Sequence, residues 1–308
     1  MVYNTILDAI GHTPMIKLNK IVPEDAAQVF VKYEGVNIGG SIKTRTAYNM
    51  IKRALEKGKV TKESIIVEPT SGNQGIGLAL VGAVLDLNVK IIMPDSVSEE
   101  RRKLIKNYGA EVILIHDDGD IGKCMEECIN LAKKMSEEDE RVFVPSQFDN
   151  PDNPKAHIYF TATEILEQVN CDIDGFCSGV GTGGTISGIG MVLKRQNPSI
   201  QIWAVEPADA AILSGGAVGT HLQMGIGDGL IPENLNTKIY DNICVISDKE
   251  AIDTARALAS EEGIMCGISS GTNVAAAIKL AKRLGKGKTV VTVLPDTGER
   301  YFSTALFE

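Results

Sequence analysis

The stretch Ser64-Ile65-Ile66-Val67-Glu68-Pro69-Thr70-Ser71-Gly72-Asn73-Gln74-Gly75 runs from a short β-branched segment, through a turn of hydroxyl and amide residues, into the apolar segment Gln74–Leu85. A brief β-branched run bounded by turn formers reads as a buried strand, and the longer periodic segment after it as a helix. The same step recurs along the chain. Strands are expected at residues 29–33, 64–67, 89–93, 111–115, 201–205, 243–246 and 289–294. Helices are expected at 41–57, 74–85, 99–108, 121–134, 157–169, 249–262 and 272–284. Strands alternating with helices predict parallel sheets covered on both faces, an α/β fold of two doubly wound three-layer domains.

With 308 residues the chain is long enough for about two domains at the usual size of roughly 150 residues each. The segment Gln147-Phe148-Asp149-Asn150-Pro151-Asp152-Asn153-Pro154 is dense in turn formers, so a domain crossing is placed near it. The expected division is a smaller, mobile domain of residues 41–146 and a larger one of 1–40 with 147–308. Hydrophobic residues at 44% and charged residues at 23% describe a globular chain. A net charge of −9 repels phosphate backbones and anionic lipid, which sets nucleic acid and membrane surfaces aside as partners. Neither a secretory signal nor an apolar run of bilayer length is present, and six cysteines in a chain of this length fit a reducing compartment. A cytoplasmic location is expected. Cys124 and Cys128 share a helical face, yet there is no Cys-x-x-Cys and the four histidines are scattered, so no metal site is expected.

Three segments carry candidate chemistry. Asn37-Ile38-Gly39-Gly40-Ser41-Ile42-Lys43 places an amine where a loop becomes a helix. There the helix dipole and burial both favour the neutral, nucleophilic form, although a lysine in such a place is more often a solvated surface charge. Glu68–Gly75 sets hydroxyls, an amide and backbone N–H groups at a helix start, which suits a carboxylate or phosphate and equally suits an ordinary N-cap with turn glycines. Gly179-Val180-Gly181-Thr182-Gly183-Gly184-Thr185 reads as a phosphate cup. Its Gly179, Gly181 and Gly184 also satisfy G-x-G-x-x-G with Glu206 downstream, so a nicotinamide enzyme stays open on local sequence.

Asn37–Lys43, Thr70-Ser71-Gly72-Asn73, Gly181–Thr185, Gly267-Ile268-Ser269-Ser270-Gly271 and Pro295-Asp296-Thr297-Gly298-Glu299-Arg300-Tyr301 occur in the order found in the cysteine synthase and cystathionine β-synthase family. The chain resembles that family over nearly its whole length. The resemblance implies a tryptophan synthase β-like fold, of the fold type II pyridoxal phosphate enzymes, and a homodimer acting on a small amino acid. It further implies that Lys43 is the Schiff-base lysine, which also moves the Cα proton, and that Gly181, Thr182, Gly183, Gly184 and Thr185 hold the cofactor phosphate. By the same resemblance Ser269 faces the pyridine nitrogen, where a hydroxyl does not enforce ring protonation. Asn73 lies beside the 3′-oxygen, and Thr70, Ser71, Gly72, Gln74, Gln147 and Gly227 contact the substrate, with Thr70, Ser71 and Gln147 gripping its α-carboxylate. The implied reaction removes the Cα proton and the β-substituent and lets a nucleophile add at Cβ.

The chain departs from the family pattern at four positions. Asp228 in Gly225-Ile226-Gly227-Asp228-Gly229 stands where cysteine synthases usually carry alanine, Gln74 replaces threonine, Thr44 replaces aspartate, and Ile38 stands where proline is common. A carboxylate at 228 repels hydrosulfide and is suited to act as a general base toward water or a thiol; a solvated or capping aspartate is the plain alternative. The favoured expectation is therefore L-cysteine as substrate, with release of hydrogen sulfide and formation of L-serine or lanthionine. The alternative is an O-acetylserine sulfhydrylase making L-cysteine. A non-catalytic scaffold that engages a partner peptide is the remaining class.

Overall fold

The computed structural model of the chain describes residues 2–119 and 121–308. The chain begins with β1 (Met15–Lys17) and β2 (Gln28–Tyr33), followed by α1 (Lys43–Glu56). Next come β3 (Ile65–Pro69), α2 (Asn73–Leu85), β4 (Asn88–Pro94), α3 (Glu99–Asn107), β5 (Glu111–Ile115), α4 (Ile121–Glu138) and β6 (Val142–Phe143). A helical stretch made of α5 (Asp152–Ala156), a π-helical turn at His157–Thr161 and α6 (Ala162–Gln168) leads to β7 (Gly175–Gly179) and α7 (Gly184–Gln196). The remainder is β8 (Gln201–Pro207), β9 (Asn242–Ile246), α8 (Asp248–Glu262), α9 (Ile268–Leu284) and β10 (Thr289–Leu294).

These elements form two compact units. The first comprises Met1–Ile10 and Lys43–Asn153, the second Gly11–Ile42 and Pro154–Glu308. This division differs from the expected boundaries in three respects, the first being that Ser41 and Ile42 stay with the second unit, where Ser41 bridges to Asp296 and Ile42 N–H donates to the Pro295 carbonyl. The short 3₁₀ turn Ile6–Ala9 buries Leu7 and packs against α2, which puts the first residues with the Lys43 unit. Residues 147–153 stay with that unit too, because Gln147 N–H donates to Glu68 and the Asn153 side chain donates to the Gln147 carbonyl.

The first unit is built on a four-stranded parallel sheet in the order β5-β4-β3-β6. Val67 and Ile92 pack with Cys128 and Ala132 of α4 on one face. Helix α2 is apolar on all sides, a composition that suits complete burial and not a surface position; Ile76, Leu78, Ala79, Leu80 and Val81 are all buried. A side chain at Gly77 would stand 3.0 Å from Ala47 Cβ and 3.1 Å from the Lys43 carbonyl oxygen. The missing side chain therefore lets the first turn of α1 lie directly on α2, and this contact places Lys43.

The second unit has a six-stranded sheet in the order β1-β2-β10-β7-β8-β9, parallel except where β1 runs against β2. Its central strand β10 is buried along its whole length, so its β-branched run Thr-Val-Val-Thr-Val-Leu feeds both faces. Val290 and Leu294 join a core with α8 and α9, while Val291 and Val293 join another with α6 and α7. Each unit is thus a parallel sheet covered by helices. In open sheets of this kind, ligand-binding residues gather beyond the carboxyl ends of the strands, and the segments Thr70–Gln74 and Val180–Thr185 follow β3 and β7 in that position. Among the described residues, no helix is long and apolar enough to cross a membrane.

Candidate active site

In the first unit Lys43 is the opening residue of α1 and is half-buried, with Thr44, Arg45 and Thr46 buried behind it. The Thr46 hydroxyl lies 2.9 Å from the Lys43 carbonyl and 2.9 Å from Gln74 Oε1, sharing one proton between the two acceptors. That contact ties the backbone of the lysine to the start of α2. Gln74 itself is 1% exposed and its Nε2 is buried without a hydrogen-bond partner. Thr70 is anchored by its N–H to the Ile92 carbonyl at 3.0 Å, and its hydroxyl accepts from Gly72 N–H at 3.2 Å. This local turn brings the chain into α2, whose first N–H groups have no intrahelical acceptor and carry the positive end of the dipole. Ser71 and Asn73 are half-buried there, and Gln147 is buried.

Two further residues of this unit, which the sequence pattern does not single out, stand beside these. Arg101 of α3 is 4% exposed, and a side chain at Gly72 would stand 2.6 Å from its Cδ, so a cationic side chain lies against the turn into α2. Glu68, 1% exposed, accepts from Ser146 N–H at 2.9 Å and Gln147 N–H at 3.0 Å. Arg101 lies in a charged helical segment and Glu68 in a strand, and neither local pattern marks a tertiary contact.

In the second unit, β7 ends at Gly179, whose N–H donates to Asn273 Oδ1 at 2.7 Å. The Asn273 amide donates in turn to the Val293 carbonyl at 2.7 Å, so one side chain pins the ends of β7 and β10. The cup follows. Gly183 has φ +74°, which a side chain disfavours, and a Cβ there would stand 2.7 Å from Leu235 Cα. A Cβ at Gly181 would collide with the Gly225 carbonyl oxygen. The cup therefore has bare backbone where an anion would rest, at the N-terminus of a helix of 13 residues. Thr182 and Gly184 are buried, and the Thr185 hydroxyl lies 3.4 Å from Nε2 of the buried His157, a residue of the π-helical turn that the sequence pattern also leaves unmarked. Ser269 is buried in the first turn of α9.

The segment 225–229 is attached to the cup through Gly227 N–H, which donates to the Val180 carbonyl at 2.9 Å. Asp228 is exposed, and its Oδ2 lies 3.3 Å from the point a Gly181 Cβ would occupy, so the carboxylate rests against Gly181 of the cup. Glu206, the acid that a dinucleotide reading would give to a ribose, is 2% exposed and already accepts from Leu213 N–H, Ser214 N–H and the Ser214 hydroxyl. It braces residues 208–214. Among the described residues no group of three or more His, Cys, Asp or Glu is arranged to hold a metal ion.

The donor set fits a phosphorylated aldehyde. A primary amine at a helix start suits the aldehyde, and a glycine cup whose side-chain space is closed suits a phosphate. A family model described as pyridoxal-phosphate dependent enzyme matches residues 6–296. The chain belongs to that family. Its cofactor is pyridoxal phosphate, and the chain is an enzyme of cysteine metabolism. It is 49% identical over 305 residues to a cysteine synthase of Staphylococcus aureus, covering 99% of this chain and 97% of the relative. It is 46% identical over 303 residues to a probable cysteine synthase of Bacillus subtilis, covering 97% and 96%. Among solved structures, a hydrogen sulfide-producing enzyme from Fusobacterium nucleatum matches with TM-score 0.92 at 41% identity, covering 97% of this chain and 100% of that one. A cysteine synthase from Entamoeba histolytica matches with TM-score 0.94 at 39% identity, covering 100% and 91%. The fold is accordingly that of the tryptophan synthase β-type enzymes of this pyridoxal phosphate family.

Proposed function

We propose that this pyridoxal phosphate enzyme acts on L-cysteine, releasing hydrogen sulfide and forming L-serine when water adds or lanthionine when a second cysteine adds. In the water reaction the Cα–H and Cβ–S bonds break, a Cβ–O bond forms and the proton returns to Cα, so cysteine and water give serine and hydrogen sulfide. The cofactor supplies the electron sink that makes the Cα proton acidic. Lys43 would hold the cofactor through its amine, and the same amine would take and return the Cα proton. Residues 181–185 would hold the phosphate, and Ser269 and Asn73 would hold the ring of the cofactor. Thr70, Ser71, Gly72, Gln74, Gln147 and Gly227 orient the amino acid, its carboxylate resting on the first turn of α2.

The observation that carries this reading is the Asp228 carboxylate against Gly181. A negative charge there disfavours hydrosulfide as the incoming nucleophile and suits deprotonation of water or a thiol. Hydrogen sulfide production by the Fusobacterium neighbour supports the same reading. The cysteine synthases of Staphylococcus and Bacillus favour a second one, synthesis of cysteine from O-acetyl-L-serine and sulfide. Turnover of cysteine alone and of O-acetyl-L-serine with sulfide by one preparation separates them, with products identified by mass spectrometry. Sulfide release and serine or lanthionine yields left unchanged by Asp228→Asn would remove Asp228 from the mechanism.

A further inference from the structure

Glu68 sits where the pairing of β3 with β6 gives out. Ile65 and Ile66 pair with Val142 and Phe143, and two residues later Pro145 has no N–H to offer. The chain then turns. Ser146 adopts φ 54°, an unusual conformation for a residue with a side chain, and its carbonyl accepts from the N–H groups of Asp149 and Asn150. The Asn150 amide closes the turn onto the Pro145 carbonyl at 2.8 Å. This geometry leaves two successive N–H groups, those of Ser146 and Gln147, aimed at one carboxylate, with one oxygen of Glu68 on each. A side chain thereby extends the ladder past the point where backbone can.

We propose that Glu68 is a positioning residue for the substrate: its carboxylate locks the turn that carries Gln147 to the strand end that carries Thr70 and Ser71, and so sets affinity for the α-carboxylate of the amino acid. The inference rests on the reading of Thr70, Ser71 and Gln147 as the carboxylate grip. Glu68 does not touch substrate; it holds residues that do. Its charge state matters because the ionised form offers a strong acceptor to each N–H group, whereas protonation turns one of those oxygens into a hydroxyl, a weaker acceptor. Burial pushes its pKa up to about 7, the N–H groups of Gln147 and Ser146 pull it down, and Asp149 in the same turn pushes it up. On the paired strand β4 the opposite residue is Ile91, which carries no charge.

The test is steady-state kinetics of the holoenzyme and its Glu68→Gln variant on L-cysteine, or on O-acetyl-L-serine if that is the substrate turned over. Glu68→Gln is expected to raise KM roughly tenfold, the loss of one good buried hydrogen bond, with kcat within about twofold and the cofactor absorbance retained. KM of the unmodified enzyme is expected to rise as pH falls below about 7, following one proton, and that rise is expected to vanish in the variant. In Gln147→Ala KM rises as well, and adding Glu68→Gln raises it little further. An unchanged KM with an unchanged pH profile would overturn the proposal, and so would a fall in kcat at constant KM. If Glu68→Gln does not fold, the KM profile of the unmodified enzyme and Glu68→Asp, which withdraws the carboxylate by one methylene, discriminate in the same way. Absence of cofactor absorbance, or of turnover on any amino acid, is visible before a variant is compared and would remove the functional reading and this inference together.

Discussion

The imidazole of His221 donates from Nε2 to the Gly227 carbonyl at 3.1 Å, while its Nδ1 accepts from Gln223 N–H at 3.1 Å. The second contact fixes the tautomer, since Nδ1 cannot carry a proton while accepting one, and this assigns the proton to Nε2. Gln223 is fully buried and is itself tied to the Ile246 carbonyl, to Asp248 and to the Thr272 hydroxyl. A chain of hydrogen bonds therefore runs from the core of the second unit to the residue before Asp228. His221→Ala removes the brace of the 225–229 segment without touching Asp228. Loss of one such bond is worth about 1 kcal/mol, so sulfide release is expected to fall roughly fivefold while cofactor absorbance is retained. Steady-state kinetics with cysteine check this, and a rate equal to that of the unmodified enzyme would leave His221 with no part in holding the segment.

The cup is sensitive to single methyl groups for reasons that differ by position. At Gly181 a Cβ meets backbone oxygen and the Asp228 carboxylate, neither of which can give way without moving residues 225–229. At Gly183 a Cβ meets the backbone of Leu235 and also requires φ +74°, a conformation costing a residue with a side chain on the order of 1 kcal/mol. Gly181→Ala and Gly183→Ala are both expected to weaken pyridoxal phosphate binding by at least about tenfold, the equivalent of about 1.4 kcal/mol. Titration of apoenzyme with the cofactor, read by absorbance, measures the loss. Binding within about twofold of the unmodified protein would mean that the phosphate does not rest on this backbone.

Glu68 also makes a prediction about stability. Its folded pKa of about 7 lies above the ordinary value of 4.5 expected in the unfolded chain, so between those values the folded state holds more protons than the unfolded state. Its contribution to stability is then fully present below about pH 4.5 and is lost as pH rises through 7, by about 3 kcal/mol at most for a shift of this size. Glu68→Gln cannot ionise and removes this slope. Melting temperatures at about pH 5.5 and about pH 8.5 are expected to differ less in the variant than in the unmodified protein; an equal difference would show that the carboxylate does not titrate in the fold.

Much of the fold is legible in the sequence. The runs Glu111–Ile115 and Thr289–Leu294 form strands with the expected bounds; in the second, β-branched residues buried along the whole strand leave one solution when both faces are covered. The helix around Glu99 ends within a residue of its expected limit. Strands β1 and β6 escape the sequence pattern; they are three and two residues long, too short to show alternation. Strand β7, Gly-Phe-Cys-Ser-Gly, and helix α7, with Gly184, Gly188 and Gly190, are absent from the expected ranges, since glycine weakens the pattern of both kinds of element. The helical stretch starts at Asp152, before the expected 157, because Pro154 falls in a first turn where its missing N–H costs nothing. The motif residues at the site declare themselves through local composition. Glu68, Arg101 and His157 do not, since each meets residues far from it in sequence, and neither does His221, whose contacts to Gln223 and Gly227 form only once residues 221–227 fold.

Gln74 is the departure from the family pattern with the clearest energetic signature. Its carbonyl oxygen is satisfied by Thr46, yet its amide nitrogen is buried with no acceptor. A buried donor left unpaired costs about 1–3 kcal/mol, which a fold retains most readily where a ligand supplies the missing acceptor. The residue lies in the first turn of α2, immediately after Thr70–Asn73, where the amino acid is proposed to dock. Gln74→Met keeps the volume and removes the orphaned amide. The ligand-free variant is then expected to melt at or above the temperature of the unmodified protein, because the loss of the Thr46 contact is offset by relief of the unpaired donor. Its KM for the amino acid is expected to rise several-fold, since the acceptor on the substrate loses its partner. The two measurements separate two roles: a higher melting temperature with an unchanged KM would make Gln74 a strained structural residue, and a raised KM without loss of stability makes it part of the binding surface.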